Sequence, residues 1–312
     1  MAVDRQSIRI LEEGLRRAGL PVRFDEPLSQ YTSYRVGGPA DLFVTVHQVS
    51  ELELAVKNAI AAQVPYLVIG GGTNLLCSDR GYRGLAIRNC CTGICIGEVE
   101  WPAGKAIVRV EAGVRMRTLA RKMAEAGLGD LSWAYGIPGT VGGAIVGNAG
   151  AFGGSIADVL TAVEWLDGQG VRGSWGVTEL QFGYRQSRLK GRHDMVILAA
   201  SLQLSARDEN EQLGLMEDYT ERRRQAQPTG PSAGSIFRNP PNDFAGRLIE
   251  AAGLKGRRIG GAHVSQKHAN FIINDRNASA SDIYALIREV QEEVAKQFGV
   301  RLELEIELVG EF

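Results

Sequence analysis

The order of hydrophobic and polar residues predicts short strands and an amphipathic helix in alternation over the first third of the chain. Residues 41–46 are a short β-branched run that predicts a strand. Ser50 and Glu53 form a capping-box pattern ahead of apolar residues at helical spacing. A second apolar run at 66–69 ends in three glycines, and 86–88 adds another short strand. This order predicts a small parallel α/β unit.

The arrangement of predicted strands and helices changes at residue 89 and again at residue 228. Ile8, Leu11 and Leu15 predict an amphipathic helix at the N-terminus. Further predicted strands lie at 106–110, 162–166, 195–204, 269–273 and 301–309, and further helices at 114–126, 208–227, 244–252 and 281–298. The last helix has Ser279 and Asp282 as its cap. We therefore divide the chain into modules at 1–88, 89–227 and 228–312, an α+β organisation.

Composition and charge exclude several classes of protein. The 312 residues carry a formal charge of −1, which excludes a globally basic nucleic-acid binder. Glycine makes up 39 of the 312 residues, or 12.5%, against roughly 7% in average proteins. The glycines have no collagen-like period. The chain also has no apolar run long enough for a membrane span, and the charges spread through its first twenty residues lead us to expect no secretory signal. We expect a cytoplasmic protein without membrane or nucleic-acid partners.

The cysteines carry little functional signal. Cys77, Cys90, Cys91 and Cys95 contain no C-x-x-C pair, and no histidine lies at zinc-finger spacing. Reduced thiols in a cytosolic protein are therefore the favoured interpretation, and a metal or redox site is the alternative. We expect no metal.

The glycines are concentrated in two segments. At 70–74 a strand runs into Gly-Gly-Gly-Thr-Asn, a pattern that suits an anion-binding nest of backbone N–H groups. It is neither a P-loop nor a Rossmann fingerprint, because Leu75 replaces the third glycine. The segment 136–154 has eight glycines and no charged side chain, which favours a backbone surface against a large ligand. A structural turn at 70–74 and tight packing of 136–154 at a domain interface remain alternatives.

Three further features are ambiguous on their own. Ser235, in the segment 232–240, could present a hydroxyl to a ligand but is not a nucleophile elbow. Arg222–Arg224 is more typical of a solvated helix face than of a functional cluster. Glu303, Glu305 and Glu307 share one face of the predicted last strand, which is more typical of a solvent-exposed face than of a site.

Taken together and in order, six motifs resemble one family. They are Thr32-Ser-Tyr-Arg-Val-Gly-Gly-Pro-Ala40, the turn at 70–74, the segment 136–154, Phe182-Gly-Tyr-Arg-Gln-Ser187, Ser232-Ala-Gly-Ser-Ile-Phe-Arg-Asn-Pro240 and Leu302-Glu-Leu-Glu305. From about residue 30 to its end the chain resembles the UDP-N-acetylenolpyruvoylglucosamine reductases. The resemblance implies a two-lobed FAD-binding domain of the vanillyl-alcohol-oxidase type, followed by a separate α+β substrate-binding domain. It also implies NADPH as the hydride donor and a sugar nucleotide as the substrate.

The resemblance assigns cofactor-binding residues to the two glycine segments. The turn would bind the FAD pyrophosphate through Gly70, Gly71, Gly72, Thr73 and Asn74. The second segment would line the pyrophosphate and isoalloxazine through Pro138, Gly139, Thr140, Gly142, Gly143, Asn148 and Gly150.

The resemblance also assigns the chemistry. Arg185 would stabilise charge developing on the enolpyruvyl carboxylate, because its planar fork of donors suits an oxyanion. Ser235 would donate the proton to carbon, and Glu305 would complete the site. Tyr184, Arg238 and Asn239 would contact the substrate.

Two departures from the family pattern refine this assignment. Leu304 stands where family members often have proline, and Glu307 stands where they often have a basic residue, so Glu305 is assigned from its place in the motif Leu302–Glu305. The short interval between Ser187 and Arg222 leaves no room for a substrate-clamping loop, which favours the family's shorter, type II-like branch.

We expect a monomer. Another FAD-dependent oxidase or dehydrogenase, and a non-catalytic nucleotide-binding module, are the alternative functions.

Overall fold

The computed structural model describes residues 4–100 and 104–312. The predicted first and second modules contain residues 1–3 and 101–103, which lie outside this range. The α-helices are α1 Arg5–Arg17, α2 Val49–Ala61, α3 Met116–Glu125, α4 Val141–Val146, α5 Ile156–Val159, α6 Glu209–Ala226, α7 Ala245–Ala251 and α8 Ala280–Phe298. Three short 3-10 helices lie at Leu28–Tyr31, Ser132–Ala134 and Thr178–Leu180.

The strands of residues 4–100 and 104–312 form two larger and three smaller sheets. Their bounds are β1 Arg23–Pro27, β2 Pro39–Val46, β3 Tyr66–Ile69, β4 Leu75–Cys77, β5 Tyr82–Asn89, β6 Ile94–Glu100, β7 Lys105–Glu111, β8 Gly150–Ala151, β9 Gly154–Ser155, β10 Leu160–Leu166, β11 Arg172–Gly176, β12 Val196–Ser205, β13 Arg258–Ile259, β14 Ala262–Val264, β15 Ile272–Asn274 and β16 Glu307–Val309. The sheet orders are β1-β2-β5-β3, β11-β10-β12-β7-β6, β13-β14-β15, β16-β4 and β8-β9.

The chain forms two compact units that each draw on separated stretches of sequence. The first unit contains residues 1–24, 42–71 and 84–223, and the second contains 25–41, 72–83 and 224–312. The chain passes between them at residues 71 and 72, inside the predicted glycine turn. The three predicted sequence ranges for domains stay a prediction.

The first unit has two apolar cores. In one, α1 and α2 pack on strands β2, β5 and β3, with residues such as Leu11, Val44 and Val56 fully buried. The parallel pairing of β3 with β5 confirms the predicted parallel α/β element. In the other, α3 and α4 pack with the antiparallel β10, β12 and β7, where Met123, Ile145 and Leu202 are buried.

The second unit is built around α8. One face of this helix, including Ile283, Ile287 and Val294, is buried with α7, the sheet β13-β14-β15 and the segment around Phe237. The N-terminus of α8 has the predicted cap, because the Ser279 side chain accepts a hydrogen bond from Asp282 N–H.

Some predicted boundaries are wrong. Helix α2 is capped by Gln48 and Glu51, two residues before the predicted pair, because Glu51 accepts from the N–H groups of His47 and Gln48. The strand predicted at 301–309 is reduced to β16, with a single bridge between Leu304 and Phe237 ahead of it. The strand predicted from 269 begins at Ile272.

Candidate active site

The predicted glycine turn is crowded by neighbouring side-chain and backbone atoms. A methyl group at Gly70 would collide with the Thr140 hydroxyl, and one at Gly72 would collide with the Tyr31 carbonyl. Gly72 also has a φ of +60°, which favours glycine. Among the described residues, the N–H groups of Gly71 and Gly72 have no hydrogen-bond partner. The turn therefore fits an acceptor such as a phosphate oxygen.

The second glycine segment is not a plain loop. It contains α4, whose first turn is held just beyond the end of β7 because Gly142 N–H donates 2.9 Å to the Ala112 carbonyl. The segment enters the helix through Gly139, with a φ of +117°. It then forms the β8–β9 hairpin, where Phe152 stacks on Tyr219 with ring centroids 4.3 Å apart.

The predicted catalytic arginine lies on a tight hairpin. Gly183 and Gln186 exchange backbone hydrogen bonds of 3.0 and 3.2 Å, and Arg185 between them has a φ of +53°. An arginine in the left-handed region is strained, and such strain is common at functional sites. The Ser187 hydroxyl anchors the hairpin by donating 2.7 Å to the Val146 carbonyl.

The structure brings this hairpin against the glycine segment. The Arg185 guanidinium donates 3.0 Å to the Gly150 carbonyl. The Asn148 amide donates 2.9 Å to the Gly183 carbonyl and accepts from Ala157 N–H at 3.3 Å. Two motifs predicted separately, one for FAD and one for substrate, therefore meet within the first unit.

A second arginine belongs to this group of residues. Burial lowers the pKa of Arg223, and the charge of Arg185 lowers it further. Its neighbour Arg222 pairs instead with Asp218 on the exposed face of α6. The interpretation as a solvated face holds for Arg222 but not for Arg223. Helical spacing could have indicated this, because Arg223 lies four residues after Tyr219 on α6.

The second unit holds Ser235 and Glu305 on adjacent backbone segments. Glu305 N–H donates 2.8 Å to the Ile236 carbonyl, and Arg238 N–H donates 2.9 Å to the Glu303 carbonyl. Gly234, with a φ of +76°, precedes the serine. Ser235 is half-buried, and no described residue hydrogen-bonds its hydroxyl. The hydroxyl is therefore available to a ligand.

The end of the glycine turn joins this group. The Asn74 side-chain amide donates 3.1 Å to the Glu305 carbonyl, and Glu307 N–H donates 2.8 Å to the Asn74 carbonyl. The pairing continues as parallel strands β4 and β16. Gly72, Thr73 and Asn74 thus belong to the second unit together with Ser235 and Glu305.

The predicted substrate residues differ in their surroundings. Tyr184 is 59% exposed on the hairpin of Arg185. The Arg238 guanidinium is 3.8 Å from the Glu303 carboxylate, and its Nε is buried without a partner among the described residues. The Asn239 side-chain oxygen accepts from Ala245 N–H at 3.1 Å and holds the start of α7.

None of the predicted site residues lines a cavity of about 540 Å³ in the second unit. Its lining includes Arg35, Thr229, His263 and Asp275. The second unit therefore contains a concave surface to which the motif Thr32–Ala40 contributes Arg35 but to which no predicted site residue contributes.

The described residues contain no helix long and apolar enough to cross a membrane. They also contain no group of three metal-ligating side chains. The four cysteines are free thiols; burial raises the pKa of Cys77 and of Cys91 to about 12.

Comparison with known proteins identifies the family. Residues 40–172 match the model of the FAD binding domain, and residues 225–309 match that of the UDP-N-acetylenolpyruvoylglucosamine reductase C-terminal domain. The reductase of Caldicellulosiruptor bescii is 42% identical over 96% of this chain and 94% of its own. That of Carboxydothermus hydrogenoformans is 41% identical over 97% and 99%.

A solved structure agrees with the sequence relatives. The crystal structure of the Thermus caldophilus reductase matches with a TM-score of 0.77 and 36% identity, over 93% of this chain and 99% of its own. The predicted order, an FAD-binding domain followed by a separate C-terminal domain, is confirmed. The chain belongs to the UDP-N-acetylenolpyruvoylglucosamine reductase family.

Proposed function

We propose that the protein reduces the enolpyruvyl ether of UDP-N-acetylglucosamine enolpyruvate to UDP-N-acetylmuramate, a step in peptidoglycan precursor synthesis. FAD is the bound cofactor and NADPH the reductant. Membership of the reductase family supports the substrate, and the FAD binding domain match supports the cofactor. The observation that carries the proposal is the hydrogen bond from Glu305 N–H to Ile236 O, which places the segments of Ser235 and Glu305 side by side.

The glycine segments are the proposed cofactor site. FAD, when bound, supplies a hydride from N5 to the methylene carbon of the enolpyruvyl group. The N–H groups of Gly71 and Gly72, which have no partner among the described residues, support a backbone cradle for an anionic group. The turn would bind the pyrophosphate through Gly70, Gly71, Gly72, Thr73 and Asn74. The other proposed contacts are Pro138, Gly139, Thr140, Gly142, Gly143, Asn148 and Gly150.

Arg185 is proposed to stabilise the charge that develops on the substrate carboxylate. Reduction of an enol ether conjugated with a carboxylate delocalises negative charge onto the carboxylate oxygens. A guanidinium fixed before the reaction stabilises that charge without reorganising. The Arg185 contact with the Gly150 carbonyl supports such a fixed position.

Ser235 is proposed to protonate the carbon next to the carboxylate. A free hydroxyl is a poor acid, so its alkoxide needs stabilising neighbours. Glu305 is the proposed third member of the site. If it is held beside the substrate carboxylate, repulsion between like charges favours its protonated form.

Tyr184, Arg238 and Asn239 are proposed to contact the sugar nucleotide. Arg223 adds a second positive charge beside Arg185, which favours an anionic group of the substrate. The short interval between Ser187 and Arg222 supports the shorter family branch. We also propose a cytoplasmic monomer without a nucleic-acid partner, in keeping with the net charge of −1.

A spectrum and a kinetic assay test the proposal. The purified protein should show flavin absorbance, either as isolated or after addition of FAD. NADPH oxidation should accelerate when the enolpyruvyl sugar nucleotide is added, with UDP-N-acetylmuramate as the product. Flavin-containing protein without that acceleration would overturn the proposed substrate, and rapid reoxidation by oxygen with a simple alcohol would indicate a flavin oxidase instead.

A further inference from the structure

Asn270 makes three hydrogen bonds to the two residues that follow Ser235. Its side-chain oxygen accepts from Phe237 N–H at 2.9 Å, and its side-chain amide donates 2.8 Å to the Phe237 carbonyl. Its own backbone carbonyl accepts from Ile236 N–H at 2.9 Å. Asn270 is only 3% exposed, so these bonds are shielded from water.

These bonds complete one edge of a short extended segment. The other edge is bonded to the chain around Glu305, through the Ile236 carbonyl and Arg238 N–H. On the Asn270 side, one side chain hydrogen-bonds both the N–H and the carbonyl of Phe237, as the backbone of a neighbouring strand would. Residues 236–238 are therefore bonded along both edges, and the position of the Ser235 backbone depends on both.

The Ser235 hydroxyl has no hydrogen-bond partner of its own among the described residues. On its other side Gly234 has a φ of +76°, and Ala233 before it is buried in the core of the second unit. The Ser235 side chain is thus placed by the backbone on its two sides, and Asn270 and the Glu305 segment hold the backbone that follows it.

We propose that Asn270 is a positioning residue that holds the Ser235 hydroxyl in its proton-donating position. This inference rests on the proposed function, in which Ser235 protonates the substrate carbon. Only a side chain with one donor and one acceptor at this distance satisfies both groups of Phe237. Aspartate retains the acceptor but places a negative charge against the Phe237 carbonyl, and alanine leaves two buried backbone groups unsatisfied.

Asn274 provides a matched control on β15. It is also a buried asparagine with two side-chain bonds to backbone, donating 2.9 Å to the Tyr34 carbonyl and accepting from Ala278 N–H at 2.8 Å. Neither partner belongs to the serine segment. Asn274→Ala therefore removes a similar pair of buried bonds without touching residues 235–238.

The test measures the two half-reactions of the FAD-loaded enzyme separately by stopped-flow absorbance. In Asn270→Asp and Asn270→Ala, flavin reduction by NADPH should match the wild type. Flavin reoxidation by the enolpyruvyl sugar nucleotide should slow by on the order of 10²-fold at saturating substrate, because a small misplacement of a reacting group is costly. The half-saturating substrate concentration should change little, and Asn274→Ala should reoxidise at the wild-type rate.

A double substitution separates positioning from general stability. In the Ser235→Ala variant, flavin reoxidation is measured over long single turnovers. Adding Asn270→Asp to this variant should slow reoxidation little further, because no hydroxyl remains to be positioned. The inference would be overturned if Asn270→Asp slowed reoxidation in the Ser235→Ala variant by the same factor as in the wild type. It would also be overturned if both single Asn270 variants were reoxidised at the wild-type rate. A wild-type enzyme whose reduced flavin is not reoxidised by this substrate would instead overturn the proposed function and the inference with it.

Discussion

The side-chain amide of Asn74 donates a 3.1 Å hydrogen bond to the backbone carbonyl of Glu305, 231 residues further along the chain. The Asn74 carbonyl in turn accepts from Glu307 N–H. The last residue of the glycine turn therefore determines where the segment carrying Glu305 lies. Asn74 was predicted as a cofactor contact, and this bond gives it a second role within the protein.

Substitution of Asn74 tests that role. Asn74→Ala removes the side-chain bond to Glu305, so the free energy of unfolding should fall by about 1 kcal/mol. Flavin reoxidation by substrate should slow, whereas reduction by NADPH should persist in protein that retains FAD. Urea unfolding and stopped-flow absorbance measure the two effects. An unchanged rate of reoxidation would show that the bond does not influence the position of Glu305.

A pair of substitutions tests the crowding at the start of the turn. Gly70→Ala places a methyl group against the Thr140 hydroxyl, so we expect lower stability and a lower FAD content. Adding Thr140→Ala removes that hydroxyl, and the next nearest Thr140 atom, Cβ, is 3.4 Å away. The double variant should therefore recover thermal stability relative to Gly70→Ala. If the double variant does not recover, neighbours of Gly70 other than the Thr140 hydroxyl cause the loss of thermal stability.

Arg185→Lys tests whether the guanidinium fork is needed or only its charge. Lysine retains the charge but lacks the planar set of donors. We expect substrate-dependent reoxidation to slow by on the order of 10²-fold, with NADPH-dependent reduction retained. Arg188→Lys is the control, since Arg188 stacks over Trp175 at 4.6 Å and lies three residues away. Equal effects of the two substitutions would argue against a specific role for Arg185.

The ion pair of Arg258 with Asp275 predicts a pH dependence of stability. Hydrogen bonds from Arg258 lower the pKa of Asp275 to about 2. A carboxylate with a lowered pKa stabilises the fold above its unfolded pKa of about 3.9, and loses that contribution as the pH falls towards 2. Asp275→Asn should therefore lower the thermal midpoint at pH 7, with a difference from wild type that shrinks below pH 4. Arg258→Gln should show the same trend; a difference independent of pH would contradict the assignment.

Local sequence signals predicted much of the fold, and long-range contacts account for what they missed. The cap of α8 was predicted correctly because Ser279 and Asp282 contact each other within one turn. Helix α4 was missed because glycine disfavours helices, and its first turn depends on Ala112 and Val114. The alternation of polar and apolar residues predicted a strand from 301. Before β16, however, this segment pairs with the chain near Phe237 only through the isolated bridge between Leu304 and Phe237.

The same distinction applies to the candidate site. The motifs around Arg185, Ser235 and Glu305 could be recognised from the sequence because the family resemblance lies in consecutive residues. Asn270 could not, because its partner Phe237 lies 33 residues upstream and no local pattern records that pairing. Arg223 lies four residues after Tyr219, which is the local signal for it, but its burial is visible only in the structure.

The half-reactions of Ser235→Ala show whether this serine is the proton donor. The variant is reduced with NADPH and then mixed with the enolpyruvyl sugar nucleotide, and the flavin absorbance is followed in both steps. We expect reduction at the wild-type rate and reoxidation by substrate that is almost abolished. Reoxidation at the wild-type rate, with normal yield of UDP-N-acetylmuramate, would contradict the role of Ser235 as the proton donor.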